Sequence, residues 1–119
     1  MRTTRLNSLT STTEGPPHAA LLILNYDVTD PDVLAAYRAV AGPLLTGQCG
    51  AVRWVTTDNT VDLGEGTPVG SHTVVHEFPT IDAARDAYYS TAYQAVIADR
   101  FAGTIPRTAF IVPCGPSPE

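Results

Sequence analysis

At 119 residues the chain has room for one hydrophobic core and not for two. Its hydrophobic fraction of 44% rules out a disordered chain. No apolar run approaches the roughly 20 residues of a transmembrane helix, so no membrane partner is expected. Seven Arg, no Lys and twelve acidic residues leave a net charge of -5. That balance argues against nucleic acid, which wants a basic face, and the lack of Lys removes Schiff-base chemistry.

The first segment, 1–18, has Arg2, Arg5, many hydroxyl residues and Gly15-Pro16-Pro17. A secretory signal needs an apolar stretch of about 7 to 15 residues, which Leu6 and Leu9 do not make. It reads as a disordered tail, and a cytoplasmic location is expected. From Ala19 to Asp27 an apolar run is short enough for a buried strand. Asp30 then caps a helix with Pro31 at its first position, where a missing N–H costs nothing. Val33, Tyr37, Val40 and Leu44 recur at helical spacing, and Gly42-Pro43 should end the helix near Ala41.

Gly50 to Thr57, rich in β-branched and aromatic residues, predicts a second strand, and Asp58 to Pro68 a polar loop. Ser71 to Phe78 predicts a third strand whose alternation sets His72, Val74, His76 and Phe78 on one face. Thr80 caps a second helix, a further helical segment is expected from about Thr91 to Phe101, and Thr108 to Val112 makes the last strand. The C-terminal residues 114–119 read as a tail, leaving one domain over 19–113. The order is βαββαβ, an α+β ferredoxin-like sandwich with a four-stranded antiparallel sheet and both helices on one face. The uncovered face would be apolar, so a homodimer through the sheet is expected. Cys49 and Cys114 are too few and too irregularly placed for a disulfide framework or a zinc site, and read as buried thiols.

Three stretches carry a family likeness: Val28-Thr29-Asp30-Pro31, Glu77-Phe78-Pro79-Thr80 and Tyr89-Ser90-Thr91-Ala92-Tyr93-Gln94. Together they resemble the domain-of-unknown-function family numbered 1330, a branch of the dimeric α/β-barrel superfamily. The resemblance spans nearly all of Leu22 to Val112 and implies a fold and a pocket, with no assigned reaction. Relatives in the wider superfamily include cofactor-free monooxygenases, polyketide cyclases, lactone isomerases, heme-degrading and peroxidase-like enzymes, and plain ligand binders, so fold alone does not set function. Where the family tends to carry Gly-Gly this chain has Cys49-Gly50. Val55 stands where it tends to carry Arg, and His72 stands at a basic position. The implied pocket has lost fixed cations and gained imidazoles, Trp54 and Arg53, which suits a less anionic, more aromatic ligand.

His76 and His72 are the leading catalytic candidates, since histidine titrates near neutral pH and works as acid or base. Lying roughly 13 Å apart along one strand, they cannot share a metal. Each has a structural alternative as a hydrogen-bonded core or interface histidine. Asp27, with Tyr26, closes the first strand, where polar site residues gather; a turn-stabilising carboxylate is the other reading. Glu77 points to the opposite face and is expected to bond helix-start amides or Arg100. Substrate contacts are expected from Tyr26, Tyr89 and Tyr93 and from Arg53 or Trp54, which point to opposite faces and cannot both reach the pocket. Gly64-x-Gly66 sits in a loop with no helix following and is no phosphate-binding motif. No metal, flavin or nicotinamide motif is present in the sequence, so no cofactor is expected.

These readings converge on a cofactor-independent enzyme of secondary metabolism, acting on an aromatic or polyketide-like small molecule by cyclase- or isomerase-type acid/base chemistry. The alternatives are a non-catalytic binding or stabilising protein and a cofactor-free monooxygenase.

Overall fold

The computed structural model describes residues 18–115, so most of both expected tails lies outside the described residues. Strand β1, Ala20–Val28, turns Ala20, Leu22, Leu24 and Tyr26 inward. The Asp30 carboxylate then accepts from the Asp32 and Val33 amides at 3.2 Å each, satisfying two of the amides that a helix start leaves open. Replacing Asp30 with Ala should cost about 1 kcal/mol in chemical denaturation.

Helix α1, Pro31–Pro43, buries Leu34, Tyr37 and Ala41 against the sheet. Of the expected stripe, Tyr37 and Leu44 are buried, while Val33 is half-buried and Val40 is 53% exposed, their places inward taken by Leu34 and Ala41. The helix also runs past its expected end. Proline at position 43 removes only the bond to the Ala39 carbonyl, and the chain continues through a widened π-helical turn, Leu44–Gln48, closed by the Cys49 amide on the Leu44 carbonyl at 2.9 Å.

Strand β2 is Arg53–Thr57, shorter than expected, and β3 is His72–Phe78. Thr80 caps α2, Ile81–Tyr88, through the Ala83 amide at 3.0 Å. Ser90 caps α3, Thr91–Gln94, and α4 is Ile97–Ala102. The single segment expected over these residues is broken at Ala95 and Val96, where the Val96 amide makes a tight bond to the Tyr93 carbonyl at 3.0 Å. Strand β4, Thr104–Pro113, starts four residues earlier than expected, because it pairs with β1 along the whole of that strand across an irregularity at Asn25 and Tyr26.

The sheet order is β2-β3-β1-β4, with every neighbouring pair antiparallel. The helices pack on one face, giving the ferredoxin-like βαββαβ sandwich. Phe78 and Tyr93, both fully buried, centre the core between sheet and helices. On the open face the register lines up Val55, Val75, Ile23 and Phe110 across all four strands. Val55 is 55% and Phe110 49% exposed, so an apolar row faces outward. Glu77 also points to this face and bonds Arg53 at 2.8 Å, rather than a helix start or Arg100.

The loop between β2 and β3 is held against β1 by Asn25. Its buried amide accepts from the Gly70 N–H at 2.6 Å and donates to the Gly70 carbonyl at 3.0 Å and to Thr73 Oγ1 at 2.9 Å. Asp62 folds the loop on itself by accepting from the Gly64 and Val69 amides.

Candidate functional site

Alternation along three strands and the inward face of α1 enclose a cavity of about 240 Å³. Its floor is Leu24 and Tyr26 from β1, Trp54 and Thr56 from β2, and Val74 and His76 from β3. The register explains the grouping, since Trp54 lies opposite His76 and Thr56 opposite Val74 on the helix-facing side. Tyr37, Arg38 and Ala41 of α1, with Leu45 and Thr46 of the widened turn, form the roof. The walls are mainly apolar, with a few polar groups converging, the usual make-up of a small-molecule site.

His76 is the imidazole of the floor. It is 7% exposed, and its Nδ1 is buried with no hydrogen-bond partner among the described residues. Burial pushes the imidazole below its ordinary range, because the charged ring would lose hydration without a compensating partner. At neutral pH the ring is therefore neutral, the form in which an imidazole acts as a base.

His72 has a different fate. It does not reach the cavity, and both ring nitrogens are engaged. Arg38 Nη2 stands 2.5 Å from Nε2, and the Asp58 carboxylate meets Nδ1. Arginine only donates, so Nε2 accepts and Nδ1 carries the proton that is given to Asp58. The His72 hydrogen bond holds the Asp58 carboxyl below the usual carboxylate range. The ring also packs on Tyr26, with centroids 5.0 Å apart. His72 thus positions Arg38, whose guanidinium is the cation in the cavity.

Behind Tyr37, its hydroxyl meets that of Tyr93 at 2.6 Å, and Arg100 Nη1 donates to the Tyr93 hydroxyl at 3.3 Å. Burial raises the pKa of Tyr26, Tyr37 and Tyr93 above the ordinary phenol value, so all three stay protonated.

Of the residues singled out in the sequence, His76, Tyr26 and Trp54 come together in the cavity. The others do not. Arg53 follows the strand alternation to the open face, where it pairs with Glu77. Asp27 is held by Arg107 at 2.7 Å and by the Ser71 amide at 3.3 Å, and the Arg107 hydrogen bond lowers its carboxyl. It is an ion-pair partner rather than a free base. Tyr89 is 70% exposed and borders a separate groove with Arg85 and Phe110. Tyr93 supports Tyr37 from behind instead of facing a ligand.

Arg38 was not anticipated, and its presence corrects the expectation of a cavity without a fixed cation. The signal was available in helical phase. Arg38 lies four residues after Leu34, beside the stripe made by Leu34, Tyr37 and Ala41. Tyr37 was read as core. It is core at its hydroxyl and cavity wall along its ring side.

A family model described as "Domain of unknown function (DUF1330)" matches residues 19–114. The chain belongs to the DUF1330 family. No curated protein sequence matches it. Among solved structures, the hydroxynitrile lyase of Passiflora edulis is similar at 14% identity and TM-score 0.64, covering 88% of this chain and 100% of that one. A dimeric ferredoxin-like protein of unknown function from Thermobifida fusca is similar at 15% identity and TM-score 0.59, covering 89% and 100%. SnoaB, a cofactor-independent oxygenase from Streptomyces nogalater, is similar at 13% identity and TM-score 0.58, covering 86% and 96%. At these identities the likeness is one of fold. No helix among the described residues of this DUF1330 member is long and apolar enough to cross a membrane.

Proposed function

We propose that this DUF1330 protein is a cofactor-independent enzyme that moves protons on a small aromatic carbonyl or phenolic compound, with His76 as the general base. The observation that carries the reading is a buried, neutral imidazole on the floor of a mainly apolar cavity, with Arg38 on the roof across from it. In the step, a C–H bond next to the substrate carbonyl breaks and its proton goes to the His76 imidazole. The electron pair passes into the enolate, whose oxygen is stabilised by Arg38. Return of the proton to the far carbon of an extended, conjugated enolate completes an isomerisation; attack of the enolate carbon on a second carbonyl, with the imidazolium giving its proton to the new alkoxide, completes a cyclisation. Trp54 and Tyr26 offer flat apolar surface for the ring. The volume lies below the roughly 300–1,000 Å³ of common drug-sized sites, so a one- or two-ring compound fits better than a larger polyketide.

The fold relatives support this reading, since they include small-molecule enzymes described as a lyase and a cofactor-independent oxygenase. The test is hydrogen–deuterium exchange in D₂O, followed by proton NMR, over a panel of cyclic 1,3-dicarbonyl and hydroxyaryl ketone compounds. The account expects saturable, protein-dependent loss of the α-proton signal for at least one of them. Saturable binding without exchange across the panel would favour a ligand-binding protein built on the same cavity.

The apolar row on the open face supports a homodimer, as do the fold relatives described as dimeric. Light scattering should give twice the 12.6 kDa of one chain, and Val55→Glu with Phe110→Glu should shift the mass to that of one chain. A wild-type mass of one chain at micromolar concentration would contradict it.

A further inference from the structure

Among the described residues, no acidic side chain pairs with Arg100. Arg100 is 3% exposed, donates to the Tyr93 hydroxyl at 3.3 Å and lies with its guanidinium carbon 5.0 Å from the centre of the Phe101 ring. Among the described residues the ion pairs are Arg53 with Glu77, His72 with Asp58 and Arg107 with Asp27, and none includes Arg100. Burying an ionised group without a counter-charge is costly, because hydration is lost and nothing replaces it.

The same side chain lines a second cavity of about 250 Å³, on the far side of Tyr26 from the first. Tyr88, Phe101, Pro106 and Ala109 give it apolar walls, and Thr104 is spoken for by its bond to the Arg100 carbonyl at 2.7 Å. Arg107 borders it too, but its charge is matched by the Asp27 carboxylate at 2.7 Å. The cavity therefore carries one unmatched positive charge in an aromatic and aliphatic setting.

We propose that this second cavity binds an apolar monocarboxylate, with the carboxylate on Arg100 and the hydrocarbon against Tyr88, Phe101 and Pro106. A carboxylate matches the guanidinium fork and supplies the missing charge. Phosphate is a poorer fit, because a strongly hydrated dianion would meet largely apolar walls, where Asn25 is already bonded to Gly70 and Thr73 and Thr108 is the remaining hydroxyl beside the tyrosines. The site is separate from the His76 cavity and stands or falls independently of the catalytic reading.

The test uses the full chain with benzoate, its neutral counterpart benzyl alcohol, and inorganic phosphate, followed by calorimetric titration and melting temperature. Benzoate should bind saturably and raise the melting temperature, and the other two should not. Arg100→Gln should weaken benzoate binding by at least about tenfold, the scale of a lost charged hydrogen bond. Arg38→Gln, in the other cavity, should leave it unchanged. Since Arg100 is buried and its variant can fail to fold, Ala109→Glu provides a second arm. A carboxylate on the wall of the same cavity should raise the melting temperature without benzoate and abolish the response to it. No benzoate binding by the wild type, binding lost in Arg38→Gln, or an undiminished response in Arg100→Gln or Ala109→Glu overturns the proposal.

Discussion

Replacing His76 with Gln should lower the rate of α-proton exchange by roughly 100-fold or more, the ordinary contribution of a positioned acid/base group. Glutamine keeps the polarity and approximate size of the ring but accepts no proton at neutral pH, so ligand affinity should change little. The pH dependence follows from burial. Because burial lowers the His76 imidazole from its ordinary 6.5, the working base persists somewhat below pH 6.5 and exchange falls only as the pH drops further. Stability moves in the same direction. The unfolded chain takes up the proton more readily than the folded one, so the contribution of the neutral ring is complete above pH 6.5 and is lost as pH falls below it. The wild type should therefore lose stability over that window more steeply than His76→Gln. Unchanged exchange in the variant would remove His76 from the mechanism.

Gly70→Ala should be the most damaging small substitution in the β2–β3 loop. A Cβ on Gly70 would stand 2.3 Å from the Tyr26 carbonyl carbon, 2.4 Å from its oxygen and 2.7 Å from the Asp27 nitrogen. These are backbone atoms of a strand paired on both sides, so the strand cannot yield and the loop must lift away. Lifting it separates Gly70 from the buried Asn25 amide, which loses bonds of 2.6 and 3.0 Å. Each polar group left buried and unpaired costs about 1–3 kcal/mol, so a loss of about 3 kcal/mol or more is expected in chemical denaturation. A loss under about 1 kcal/mol would show that the loop finds another seat at little cost. The position is one where a close approach, rather than a positive φ, requires glycine.

How far the residues alone carried the account differs by element. The alternation in His72–Phe78 placed His72, Val74, His76 and Phe78 on one face, and the structure keeps them there. Alternation has no information about what the neighbouring elements bring, and that is what separates the two histidines. Arg38 from α1 and Asp58 from the loop occupy both nitrogens of His72, while no described group reaches Nδ1 of His76. For Arg53 and Trp54 the residues left two faces open, and the choice came from the register that sets Trp54 opposite His76. In α1 the spacing picks out Tyr37 and Leu44, which are buried, but Val33 and Val40 outweigh Leu34 and Ala41 by hydrophobicity although the latter pair is the buried one, beside Arg38. Asp27 sat where strand ends gather polar groups, but its partner Arg107 is 80 residues away, beyond any local pattern.

The central claim is that a neutral His76 accepts a proton from a molecule held in the first cavity. It is tested most directly by nitrogen-15 NMR of the histidine side chains, with His76 assigned through His76→Gln, across a pH titration with and without the exchanging compound. The account predicts a His76 midpoint below 6.5 in the free protein and a clear displacement of its ring signals when the cavity is saturated. A midpoint at or above 6.5, or ring signals that ignore a saturating ligand, would contradict it.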